Sequence, residues 1–166
     1  MKIDMFSLTE GENRFHFVED SAILDLPEEL GAQTSVEVNA GVTKRGTHFM
    51  LRGEVLCTLN MECSRCLEPF QYPLRAPLEA VYTLAGEGGN HGEEGEFIRI
   101  SHADQSVDLI EMVREAILLA GPFKPLCREE CKGLCPRCGT NLNRGQCDCI
   151  TRRTDPRWAV LKSLRK

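Results

Sequence analysis

The fold class predicted for this chain of 166 residues is α+β: an antiparallel sheet, built as a meander or partly closed barrel, packed by one main helix, with a cysteine-rich module and a short helix at the C-terminal end. Three observations predict it. Apolar residues recur with period two between residues 34 and 83. They recur with helical period from residue 109 to 120. Six of the nine cysteines crowd between residues 127 and 149, too polar and glycine-rich a stretch to build an apolar core. The implied organisation is a sheet-and-helix region over 1–121 and a basic module over 122–166.

The strands come first. Val36, Val38, Ala40 and Val42 alternate with Glu37, Asn39 and Gly41, the pattern of a half-buried strand. Lys44-Arg45-Gly46 is a turn signal, after which Phe49, Leu51, Gly53 and Val55 lead into Leu56-Cys57-Thr58-Leu59. Cys57 reads there as a small buried hydrophobe. Cys63-Ser-Arg-Cys66 falls where that strand should end. Phe70, Tyr72, Leu74 and Ala76 resume the alternation, and Leu78, Ala80 and Tyr82 carry it past Pro77. Pro69, Pro73 and Pro77 demote parts of this stretch to edge strand or irregular extension. The connections are too short for crossover helices, so antiparallel pairing is expected. Residues 85–95 form an acidic, glycine-rich loop expected to be mobile, with His91 solvated on it. Residues 96–100 return to the sheet as a short strand.

The helix is expected to open with Ser106 as its cap, with Asp108 and Glu111 complementing its positive end. Leu109, Val113, Ala116, Ile117 and Ala120 form its apolar stripe, and Gly121-Pro122 stops it. Asp155-Pro156-Arg157 opens a final helix that turns Trp158, Leu161 and Leu164 inward. Ahead of the strands, Phe15, Phe17, Ile23, Leu24, Leu26 and Leu30 show no sustained period; Pro27 to Leu30 nucleates a helical turn.

The cysteines carry the chemistry. Cys135-Pro-Arg-Cys138-Gly has the form of a knuckle: two sulfurs on a tight turn, with a small residue after the second so that backbone amides face the thiolates. Cys147-Asp-Cys149 follows after eight residues and completes a four-sulfur set suited to Zn2+. Cys127 and Cys131 compete with Cys147 and Cys149 for that role, so four of these six bind. Cys63 and Cys66 repeat the C-x2-C spacing and offer a second site. The odd number of cysteines and the absence of an apolar opening segment argue against a disulfide framework, and a reducing cytoplasm is the expected location. No apolar run is long enough to cross a bilayer, so no membrane role is expected.

Net charge is −5, but it is divided unevenly. Residues 122–166 hold eleven Lys and Arg against four Asp and Glu, while the remainder holds nine against twenty-one. A basic tail on an acidic body points to a polyanionic partner. Lys132, Arg137, Asn141, Asn143 and Arg144 lie on the cysteine loops, and Arg152, Arg153 and Arg157 extend the basic strip. RNA is read through loops, stacking and backbone contacts, which suits a compact basic knuckle.

Taken in order, Cys63-x-Arg65-Cys66-Leu-Glu-Pro-Phe70, the Asp108-Leu-Ile helix ending in Gly121-Pro122, Cys127-x3-Cys131-Lys-Gly-Leu-Cys135-Pro-x-Cys138-Gly-x-Asn141-Leu-Asn143 and Asp155-Pro-Arg157 resemble the YceD-type family. The resemblance runs from about residue 32 to 164. Members of that family are linked to accumulation of large-subunit (23S) ribosomal RNA in bacteria and plastids. The resemblance implies a cytoplasmic, non-enzymatic ribosome biogenesis factor that promotes rRNA maturation or accumulation through RNA contact. Large-subunit rRNA or a pre-ribosomal particle is the expected partner, with a ribosomal protein or assembly factor as the alternative. Some relatives lack most of the C-terminal cysteines, which implies that Arg65 and the Cys63/Cys66 turn carry function of their own.

No nucleophile elbow, phosphate-binding glycine loop or paired His and carboxylate supports catalysis. His16, His48, His91 and His102 lack the H-x-E pattern of a nucleotide deaminase. A zinc-containing protein–protein adaptor and a thiol redox switch are the competing functions.

Overall fold

The computed structural model describes residues 1–27, 30, 35–84, 97–100 and 106–149. Its elements run β1 (Lys2–Asp4), β2 (Gly11–Asp20), a 3-10 turn (Ser21–Leu24), β3 (Ser35–Arg45), β4 (His48–Glu62), β5 (Pro69–Leu84), β6 (Phe97–Ile100), β7 (Ser106–Asp108) and α1 (Ile110–Ala120). The class is α+β, as predicted. One sheet has the order β2-β3-β4-β5-β6, and β1 pairs with β7 in a second of two strands.

The period-two residues fold as strands because alternation lets one face be buried while the other stays wet. β3 and β4 pair antiparallel from Glu37–Leu56 to Arg45–His48 around a tight turn at Gly46, whose φ of 58° suits glycine. Gly53 lies opposite Ala40, and a Cβ there would sit 2.3 Å from the Asn39 carbonyl oxygen. Only glycine lets the two backbones approach this closely.

Val36, Val38, Val42, Phe49, Leu51, Val55, Leu59 and Leu78 are fully buried in one apolar cluster with Leu109, Val113 and Ile117 from the start and inner face of α1. Each such side chain contributes about 1.5–3 kcal/mol on leaving water. Cys57 is buried among them, and burial raises its thiol pKa.

Four features differ from the sequence reading. Residues 11–20 form a full strand paired with β3 over its whole length. Phe15 and Phe17 stack with centroids 6.3 Å apart and pack on the core. The exposed residues Glu12, Arg14 and His16, which precede or separate them, dilute the pattern. β5 is one continuous strand of 16 residues despite its three prolines. Their four-residue spacing places all the missing N–H donors on one edge, and β6 covers β5 only from Val81 to Leu84.

β6 runs parallel to β5, not antiparallel; a period-two pattern carries no information on direction. Lastly, Ser106 does not cap the helix. It lies in β7, and the Ile110 N–H donates instead to the Asp108 carboxylate at 3.1 Å. Gly121 closes the helix as expected, its N–H reaching the Ile117 carbonyl oxygen at 3.0 Å.

The Leu30 N–H donates to the Pro27 carbonyl oxygen at 2.8 Å; Glu28 and Glu29 lie outside the described residues. So do the 85–95 loop with His91, His102, and residues 150–166 with the expected final helix. No helix among the described residues is long and apolar enough to cross a membrane. The chain divides into two compact units, Met1–Met61 with Phe70–Phe123, and Glu62–Pro69 with Lys124–Lys166. The short loop joining β4 to β5 therefore groups with the C-terminal segment.

Candidate metal centres

Eight of the nine cysteines gather into two tetrads, Cys63/Cys66/Cys127/Cys131 and Cys135/Cys138/Cys147/Cys149. Within each, all four sulfurs lie within 4.8 Å of one another. The sequence had left Cys127 and Cys131 competing with Cys147 and Cys149; the fold assigns one pair to each tetrad.

The first tetrad is built on the β4–β5 loop. The Cys63 N–H donates to the Glu68 carbonyl oxygen at 3.0 Å, and the Leu67 N–H to that of Cys63 at 2.9 Å. Leu67 adopts a φ of 58° to close this turn, a strained conformation for a leucine, and leaves its side chain exposed. The Ser64 N–H then takes the Pro125 carbonyl oxygen at 2.9 Å, which brings in Cys127, and the Leu134 N–H takes that of Arg65 at 3.1 Å. Gly133, at a φ of 73°, passes so close that a Cβ would lie 2.9 Å from the Arg65 carbonyl oxygen.

The sulfurs of Cys63 and Cys131 are 3.7 Å apart, as are those of Cys66 and Cys127. A disulfide would need about 2.05 Å. Four sulfurs about 2.3 Å from a tetrahedral ion lie about 3.8 Å from one another, so the spacing fits a single ion at the centre.

The second tetrad is built on the knuckle. The Gly139 N–H returns to the Cys135 carbonyl oxygen at 2.9 Å with Gly139 at a φ of 73°, and the Cys135 N–H reaches that of Thr140 at 2.8 Å. A β-bridge between Leu134 and Asn141 closes the base of the loop. Exposure separates the sites. Cys63, Cys66 and Cys131 are buried and Cys127 is half-buried, whereas in the second tetrad only Cys135 is buried, Cys147 and Cys149 are half-buried and Cys138 is exposed.

Four thiolates this close repel one another, and the protein's own groups lower the pKa of only two in each four. Burial opposes ionisation of Cys63, but N–H groups of Cys127, Arg65 and Cys66 outweigh it and bring the thiol down to about 6. At Cys131 burial is likewise overcome, by the Asn143 amide and the Gly133 N–H. Burial and the neighbouring thiols push Cys127 up to about 12. The Glu68 N–H pulls Cys66 down, yet burial and the Cys63 and Cys131 thiols leave it raised.

The second tetrad repeats the division. The hydroxyl and N–H of Thr140 bring Cys138 down to about 6, and the N–H groups of Cys138 and Arg137 lower Cys135. Cys149 is pushed up to about 12 by its contact with Cys138, by burial and by charge. Cys147 gains from the Cys149 N–H but is raised by Cys135 and burial. A divalent cation would supply the field that lets the remaining thiols ionise.

The residues expected to face RNA fall into three groups. Arg65, Asn141, Asn143 and Arg144 have partners inside the unit. The Arg65 guanidinium donates to the carbonyl oxygens of Cys131 at 2.8 Å and Glu129 at 3.1 Å, and Arg144 pairs with Glu68. The Asn141 side chain accepts the Asn143 N–H at 2.9 Å. Asn143 accepts the Lys132 N–H at 2.8 Å and donates to the Cys131 sulfur at 3.2 Å. Lys132 and Arg137 have exposed side chains, with no ion pair among the described residues. Arg152, Arg153 and Arg157 lie outside those residues. Arg128, which the sequence reading omitted, is also exposed beside Cys127; its isolation between apolar and acidic neighbours gave no signal.

Fold and site together define an α+β protein with two all-cysteine tetrads, each able to hold a metal ion. The chain belongs to the family described as large ribosomal RNA subunit accumulation protein YceD, whose match covers residues 51–165. It is 32% identical over 148 residues to an uncharacterized protein of Mycobacterium tuberculosis, covering 89% of this chain and 64% of that one. The chloroplastic large ribosomal RNA subunit accumulation protein YCED homolog 1 of Arabidopsis thaliana is 27% identical over 158 residues, 80% of this chain and 49% of its own length. The protein of the same name in Zea mays is 28% identical over 151 residues, 74% of this chain and 52% of its own. The chain thus spans between about half and just under two thirds of the length of these relatives. No solved structure matches it.

Proposed function

We propose that the chain is a non-enzymatic factor in the maturation or accumulation of large-subunit rRNA, that zinc fills both tetrads, and that the loops so fixed contact rRNA or a pre-ribosomal particle. Family membership supports the ribosomal role. An all-thiolate donor set with sulfurs 3.7 Å apart supports zinc over a hard cation. A site closed by four protein ligands leaves no position for a reacting water, which favours scaffolding over catalysis. Thiols kept available for metal suit a reducing compartment such as the cytoplasm.

One observation carries the RNA reading: the cations of the unit are divided by task. Arg65 and Arg144 are spent on internal partners, while Arg128, Lys132 and Arg137 project from metal-fixed loops with no ion pair among the described residues. Exposed cations on a rigid loop contact phosphates without first losing an internal partner. Lys132→Glu with Arg137→Glu should lower affinity for large-subunit rRNA fragments at least about tenfold and flatten the dependence on log salt by about two. Both zinc ions should remain. Filter binding across a salt series, with metal content measured in parallel, checks this. Unchanged affinity would remove these residues from the contact, and cellular complexes that survive RNase would favour a protein partner.

A further inference from the structure

Asn143 lies inside the loop closed by the second tetrad, between Cys138 and Cys147, yet its side chain serves the first. Its Nδ2 donates to the Cys131 sulfur at 3.2 Å, and its Oδ1 accepts the Lys132 N–H at 2.8 Å. The amide is half-buried and locked from behind. The Asn143 N–H bonds the Asn141 side chain at 2.9 Å, the Leu142 N–H bonds the Gly133 carbonyl oxygen at 2.9 Å, and the Arg144 N–H bonds that of Asn141 at 3.1 Å. Every one of these contacts depends on the path the chain takes from the knuckle to Cys147. A loop without its ion is closed by these hydrogen bonds alone, and residue 143 is then held less firmly relative to Cys131.

We propose that the two tetrads form one cooperative metal unit, with Asn143 as the positioning residue through which occupancy of the second tetrad raises the metal affinity of the first. The inference rests on the reading that metal fills both sites. A donor aimed at a ligating sulfur stabilises the thiolate and fixes its direction, and loss of such a partner costs about tenfold to a hundredfold in metal affinity. Coupling between binding sites is reciprocal, so the second tetrad must lose as much when the first is disabled.

The test uses the full chain and titrates cobalt(II), followed by displacement with zinc, reading cobalt–thiolate absorption. Cys147→Ser with Cys149→Ser disables the second tetrad and should weaken the first about tenfold to a hundredfold. Asn143→Asp keeps the shape and the acceptor for Lys132 but removes the donor to sulfur. It should weaken the first tetrad by a similar factor while leaving the second within about twofold in the absence of the first. Combining the three substitutions should add little further loss, because the link is already cut.

The reciprocal arm, Cys63→Ser with Cys66→Ser, needs no change at residue 143 and should weaken the second tetrad by the same factor as the first loses. A first tetrad indifferent to the second, or a combined variant whose losses add in full, overturns the coupling. A chain that takes up no cobalt at all would overturn the metal reading itself, so the two failures are distinguishable.

Discussion

Gly133 and Gly139 share a φ of 73° but differ in what surrounds them. A Cβ on Gly133 would press on the Arg65 carbonyl oxygen at 2.9 Å, whereas one on Gly139 would meet nothing within 4 Å. Gly139→Ala should cost only the left-handed strain of about 1–2 kcal/mol, while Gly133→Ala should also push apart the two loop segments that bring Cys131 to Cys63. Zinc retention against a chelator should therefore fall further for Gly133→Ala than for Gly139→Ala. Near neutral pH, Cys66 and Cys127 in one tetrad and Cys147 and Cys149 in the other hold their protons, since all four are raised. Metal binding must expel them, so at least about two protons should leave per ion and affinity should fall by about a hundredfold or more per pH unit on acidification. Calorimetry in buffers of different ionisation enthalpy measures that count. Arg65 illustrates why residue roles are hard to read from sequence: its charge was legible, but not the two carbonyl oxygens it would find across more than sixty residues of chain.

Among the elements, those with an unbroken period, of two or of 3.6 residues, and a buried face were legible from the residues. β3, β4 and α1 announce themselves through Val36 to Val42, Phe49 to Leu59 and Leu109 to Ile117. β2 did not, because its partly buried phenylalanines are interleaved with charges and its neighbour β3 covers one edge only. β7 has three residues, too few for any period. The knuckle was legible because its ligands are close in sequence; the partnership of Cys63 and Cys66 with Cys127 and Cys131 was not, because only the folded loop unites them. The two cysteine elements also differ in access. Cys138 is exposed and its thiol sits at about 6, while the sulfurs of the first tetrad are mostly buried. Mild peroxide should release metal from the second tetrad first, because exposed thiolates oxidise fastest. A metal-release assay on single-tetrad variants should rank them in that order, and equal rates would deny access its role.

At the scale of the whole molecule, the first tetrad ties together positions far apart in the chain: Cys66 and Cys127 are 61 residues apart. An ion held there acts as a staple. The segment it encloses includes β5, β6, β7 and α1, none of which contributes a sulfur to it. A cross-link around a ring of this length removes disorder from the unfolded chain worth about 4 kcal/mol in the chain-entropy account, provided the ion stays bound during unfolding. Chelation should accordingly lower the melting temperature reported by far-ultraviolet circular dichroism of the sheet, and Cys63→Ser should do so more than Cys149→Ser, whose ring is short. The strands would thus draw part of their resistance to heat from a knot of sulfur tied outside their own hydrocarbon interior.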